Sequence, residues 1–132
     1  MIEVHSTTPR LEAAMARYGI RNATAIRVDN LIFFSGMTGL DLETGAVVPG
    51  GFEPQARHTL QIFADILADL GLSLDNVIKV TCQLRNIEDF ATWNEIYLDV
   101  FDGPYPCRTT TGAPLVVGDI ELEIIASIEP RR

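Results

Sequence analysis

In the stretch Val77-Ile78-Lys79-Val80-Thr81-Cys82-Gln83-Leu84-Arg85, apolar and polar residues alternate from Ile78 onward. Ile78, Val80, Cys82 and Leu84 fall on one face; Lys79, Thr81, Gln83 and Arg85 fall on the other. A period of two is that of a β-strand buried on one side. Immediately upstream, Ala56, Leu60, Phe63, Leu67 and Leu70 recur at spacings of four and three, which predicts a helix over 53–70 with an apolar stripe. Pro54 suits its first turn and Gly71 its end. A sheet face and a helix stripe that need one another lie side by side in the chain, which makes the protein α+β.

Downstream, a second helix is expected over Asp89–Phe101, with Phe90, Trp93, Tyr97 and Phe101 turned inward. Asp102-Gly103-Pro104 breaks it, and the β-branched run Thr109-Thr110-Thr111 favours a strand that opens at Arg108. The last strand, Asp119–Ser127, sets Ile120, Leu122, Ile124 and Ala126 against Glu121, Glu123, Ile125 and Ser127. Nearer the start, Thr24–Val28 and Leu31–Ser35 read as a hairpin about Asp29-Asn30, residues that tolerate positive φ. Thr8-Pro9 signals the start of a short helix carrying Leu11, Ala14, Met15 and Tyr18. The expected order is ββ-α-β-α-ββ: one sheet with two helices on one face, and a variable segment over 1–22. The other face mixes Thr81, Gln83, Glu121 and Ser127 with Ile125, so it is either solvated or pressed against another subunit.

Composition limits the function. The 132 residues suffice for one domain with its own core, and 47% hydrophobic with 21% charged residues describes a globular protein. No secretory signal or membrane-length apolar run is visible, so the expected residence is cytoplasmic and Cys82 and Cys107 are expected as free thiols. The net charge of −8, with nine scattered arginines and a single lysine, disfavours nucleic acid as a main partner. His5 and His58 are the only histidines, and neither an H-x-E nor a C-x-x-C is present. Zinc-deaminase and Ser-His-Asp chemistry are therefore disfavoured, and no metal or organic cofactor is expected.

One residue stands out for chemistry. Arg108, at a strand entrance after Pro106, offers a planar fork suited to a carboxylate, a contact that contributes roughly 1.5–3 kcal/mol.

In this order and spacing, the chain resembles the RidA/YjgF family over about residues 24–128. The segments that carry it are Asn30–Gly36, Asp41–Gly45, Gln55-Ala56-Arg57 and Asp75–Thr81. They continue with Asp89-Phe90-Ala91, Asn94–Tyr97, Pro106-Cys107-Arg108 and Ile120–Glu123. The resemblance implies a chorismate-mutase-like fold, a homotrimer with sites where subunits meet, and a single domain over 1–132. It further implies cofactor-free hydrolysis of reactive enamines and imines that carry a carboxylate, such as 2-aminoacrylate and 2-iminopropanoate, with release of ammonia.

By the same resemblance Arg108 clamps the carboxylate, Glu121 positions or activates water, and Ser35, Gly36 and Thr110 line the substrate. Partial burial at an interface would raise the Glu121 pKa towards the working pH. The chain departs from the family in three places. Arg21-Asn22-Ala23 stands near the usual Gly-Pro-Tyr, Thr110 replaces a common cysteine, and Gly112-Ala113-Pro114-Leu115 is unusual. A non-catalytic protein of this fold that binds small carboxylates is the competing expectation. An endoribonuclease, as some relatives are labelled, conflicts with the acidic charge and the missing catalytic histidine.

Overall fold

The computed structural model describes residues 1–5 and 9–132, with Pro9 and Arg10 described by backbone alone. Its elements run β1 (Ile2–His5), α1 (Pro9–Ala16), β2 (Ala25–Val28), β3 (Leu31–Phe34), β4 (Met37–Thr38) and α2 (Phe52–Asp69). They continue with β5 (Val77–Leu84), α3 (Phe90–Val100), β6 (Cys107–Gly112) and β7 (Ile120–Ser127). One sheet joins all the strands in the order β1-β2-β3-β7-β5-β6, with β4 also paired to β7. β6 runs parallel to β5 through α3, and the other pairings are antiparallel. Asp29 turns the β2–β3 hairpin at φ 52°, as its residue type allows.

The α+β layout and the elements expected after residue 24 are present. Four features differ. A strand, β1, precedes the hairpin, and α1 adds a third helix by packing Leu11 and Ala14 into the core, so the helical face carries three helices rather than two. The helix start expected at Thr8 lies outside the described residues. Within β5 the pairing with β7 slips between Val77 and Lys79, and Val77 enters the core in place of Ile78. A bulge adds one residue and reverses the alternation on its far side. Phe90, in the first turn of α3, keeps 41% of its surface, whereas Trp93, Tyr97 and Phe101 are buried.

The core is the contact between the α2 stripe and the inner sheet face. Ala56, Leu60, Phe63 and Leu67 meet Val80, Cys82, Leu84, Leu122 and Ile124, all of them buried. Gln55 ties α2 to the approach of β7. Its Nε2 donates to the Asp119 carboxylate at 3.0 Å, and its Oε1 accepts the Asp119 N–H at 2.8 Å. A Cβ on Gly39 would lie 2.7 Å from the Gln55 Cβ, so only glycine allows the wedge to seat. Gln55→Leu keeps the volume but leaves the Asp119 groups unmatched. It is expected to cost about 1–3 kcal/mol in urea unfolding, without change in the slope of the transition.

The outer face is divided. Strand register aligns Ile2, Val28, Leu31 and Ser127 in one row, and Val4, Ile26, Phe33 and Ile125 in the next. Ile2, Val4, Val28, Leu31 and Phe33 are all exposed. An apolar strip of this width is more than the isolated exposed side chains of an ordinary surface. Beyond it, Thr81, Glu123 and Thr109, then Gln83, Glu121 and Thr111, form polar rows.

Candidate active site

Arg108 pairs with Val80, and Thr110 with Cys82, so both side chains lie on the helix-covered face, at the edge strand β6. There α3 supplies their surroundings. The Arg108 Nη2 donates to Asn94 Oδ1 at 2.8 Å, and the guanidinium lies 4.3 Å from the Tyr97 ring centre and 5.7 Å from that of Phe90. Phe90, Asn94 and Tyr97 follow one another at i, i+4 and i+7, one helix face aimed at one cation.

Two buried polar atoms here, Arg108 Nη1 and Thr110 Oγ1, have no hydrogen-bond partner among the described residues. Such atoms are rare in folded proteins, and a bound ligand is one of the ways they are satisfied. Beneath them the Cys82 thiol is pushed up to about 12 by burial, with Arg108 pulling the other way, so it stays protonated.

Glu121 belongs to a second constellation. It pairs with Thr38 and Gln83, on the outer face. Gly36 packs so closely that a Cβ there would sit 3.4 Å from the Glu121 carboxyl carbon. Between the β3–β7 and β4–β7 pairings the chain at Ser35 and Gly36 leaves the ladder. At this break a cavity of about 220 Å³ brings Gly36, Thr38, Asn22, Glu121 and Glu123 together with residues of α1 and α2. Asn22, the residue that stands near the missing tyrosine, thus lies with Glu121. The Ser35 hydroxyl donates to the Ala23 carbonyl at 2.6 Å and supports this turn.

Burial raises the Glu121 pKa above the ordinary glutamate value, and the neighbouring charge of Glu123 adds to the rise. A folded state that holds this proton more tightly than the unfolded chain gains stability below the unfolded pKa and loses it as pH rises through the folded one. Glu121→Gln is therefore expected to melt modestly higher than the wild type at pH 7. The gap should close below about pH 4, where the ordinary glutamate is itself protonated; thermal melts at the two pH values check this.

The two constellations do not meet within one chain. Across the sheet from Glu121, through Gln83, stands Thr111, and Arg108 is three residues back and on the opposite face. Strand spacing and rise put their backbones on the order of 14 Å apart. Of the residues expected at the site, the structure groups Arg108 with Thr110, and Glu121 with Gly36 and, through its turn, Ser35. Sequence reading took Tyr97 and Phe90 as core residues and passed over Asn94. The signal available was an amide set between two aromatics on one helix face.

Residues 10–128 match the family profile described as Endoribonuclease L-PSP. The mouse 2-iminobutanoate/2-iminopropanoate deaminase is 38% identical over 122 residues, 91% of this chain and 87% of that protein. The crystal structure of YyfA of the Rid protein family from Yersinia pestis superposes with a TM-score of 0.84 at 29% identity, covering 97% and 100% of the two chains. That of RidA from an Antarctic Psychrobacter gives 0.77 at 28%, covering 94% of each. A half-buried arginine with a buried nitrogen unpaired among the described residues, a partly buried glutamate by Ser-Gly, and a sheet shared with these proteins have one explanation: the chain belongs to the Endoribonuclease L-PSP family, that of RidA and YjgF.

Proposed function

We propose that this protein, an imine/enamine deaminase like its curated relatives, hydrolyses 2-imino acids without a cofactor at sites built from two chains. The observation that carries the substrate class is the Arg108 guanidinium. Asn94 and Tyr97 hold it in place, and its Nη1 is buried and unpaired among the described residues. Such a fork suits the substrate carboxylate, with the Thr110 hydroxyl beside it. Glu121 of a neighbouring copy takes a proton from water as its oxygen bonds to the C=N carbon. That proton goes to the nitrogen to give a carbinolamine. The carboxylate then takes the hydroxyl proton of this intermediate and passes it to the nitrogen as the C–N bond breaks, and a 2-oxo acid and ammonia leave. An enamine such as 2-aminoacrylate enters through its imino tautomer. Cytoplasmic residence goes with this reading, and no helix among the described residues is long and apolar enough to cross a membrane.

The homotrimer is supported by the apolar strip across β1, β2, β3 and β7 and by the separation of Arg108 from Glu121. A ring of copies meeting head to tail would bring one chain's β6 edge to the next chain's outer face. Phe33→Asp, a charge in the middle of the strip, is expected to convert the assembly to monomers in sedimentation velocity and to remove activity with it. A wild type that sediments as a monomer at micromolar concentration would remove the two-chain site. RNA cleavage, which the family description names, has little support. Arg57, Arg85 and Arg132 are bound to acidic side chains, and Arg131 to the carbonyls of Leu74, Val77 and Pro104.

The direct test generates 2-iminopropanoate in place with an amino-acid oxidase and follows its disappearance against spontaneous hydrolysis. Acceleration by the wild type supports the assignment; ligand binding without acceleration would leave a carboxylate-binding protein.

A further inference from the structure

The cavity beside Glu121 is larger than a water and the methyl group of a three-carbon imino acid require, since the proposed site holds the carboxylate at Arg108 of the neighbouring chain. At about 220 Å³ it has room for about seven groups of water size. Among the described residues its polar lining comes from Tyr18, Asn22, Thr38, Glu121 and Glu123 together with backbone, while Leu11, Met15, Leu40, Leu42 and Ile62 are among the apolar side chains of the rest. Leu11 and Met15 come from α1, a helix the sheet does not need for its own closure. Their presence turns the break at Ser35-Gly36 into an apolar chamber with carboxylates in its wall.

Charge narrows the occupant further. Two carboxyl groups, Glu121 and Glu123, already stand in its wall, and burial followed by the charge of Glu123 raises the Glu121 pKa, so an acidic substituent would be disfavoured there. Among the described residues no lysine or arginine lines the chamber to receive one. An uncharged apolar group gains about 25 cal/mol per Å² on leaving water for such a lining.

We infer that this chamber receives the substrate side chain, and that the preferred substrates are 2-imino acids with uncharged apolar side chains of four or more heavy atoms. The inference rests on the proposed deaminase site, since Glu121 is common to both.

The test measures kcat/KM of the wild type for imines generated from alanine, leucine, methionine and phenylalanine. It also measures binding of the matching 2-oxo acids by calorimetry. The expected result is a rate for the leucine-, methionine- or phenylalanine-derived imine at least about tenfold above that for 2-iminopropanoate, with the same order in 2-oxo acid affinity. Met15→Trp, which fills the chamber from its half-buried α1 wall, should reduce that ratio at least about tenfold. Preference for 2-iminopropanoate, or a ratio that a folded Met15→Trp leaves unmoved, overturns the chamber assignment while the deaminase stands. Acceleration of no imine, with 4-methyl-2-oxopentanoate still bound more tightly than pyruvate, overturns the deaminase and supports the chamber. If Met15→Trp fails to fold, the wild-type order of rates and affinities decides.

Discussion

Arg108→Ala is expected to lower kcat/KM for imine hydrolysis at least about a hundredfold and to leave the fold intact. Loss of two charge-assisted hydrogen bonds to a small substrate, each contributing roughly 1.5–3 kcal/mol, accounts for the first part. The second follows from the contacts. Among the described residues, Arg108 bonds Asn94 and stacks on Tyr97 and Phe90, at an edge strand whose backbone pairs with β5. The stacking contributes about 0.5–2 kcal/mol, a loss visible as a lowered melting point without a change of circular dichroism. Arg108→Lys keeps the charge but not the fork, and Lys has no second parallel donor to offer a carboxylate. It should recover little. Full activity in Arg108→Ala would rule out the carboxylate clamp, whatever its effect on stability.

The second large effect is a gain. Arg108→Ala and Glu121→Gln should each be inactive alone, yet unfolding them together in equal amounts and refolding should restore activity. In a head-to-tail ring each site takes Arg108 from one chain and Glu121 from the next. With random assortment about a quarter of the sites then receive both native residues. Were both residues drawn from the same chain, every mixed assembly would remain dead. The register already speaks against that arrangement, because Arg108 shares a face with Val80 and Glu121 with Gln83. Restored activity near a quarter of wild type, against none on mixing without unfolding, would establish the two-chain site in one experiment.

Particular residues show how far local pattern reaches. The alternation of 78–84 located β5 but gave Ile78 to the core. The bulge between Val77 and Lys79 admits Val77 instead, because the slip arises in the pairing with Ala126 and Ile125 of β7, far along the chain. β1 escaped notice for a similar reason: Ile2-Glu3-Val4-His5 alternates, but four residues are too short a pattern to mark a strand, and they form one because β2 is there to pair with them. Phe90 reads as a core aromatic by helical spacing, yet it sits half out of the core and faces Arg108.

The sequence by itself determined what depends on neighbours in the chain. Helix α2 and strands β5 and β7 follow from periodicity, and the Asp29 turn from residue type. The small number of histidines and the acidic charge narrow the chemistry. The ordered segments from Asn30 to Glu123 marked the family. Only the tertiary structure decided what depends on residues far apart. It put Asn94 and Tyr97 on Arg108, Asn22 and α1 around Glu121, and Arg108 and Glu121 on opposite faces of one sheet. The physical reason is that a strand's period assigns alternate residues to two faces but not which face meets which helix. That choice is made by strand order, register and the break at Ser35-Gly36, all of which are set by long-range pairing.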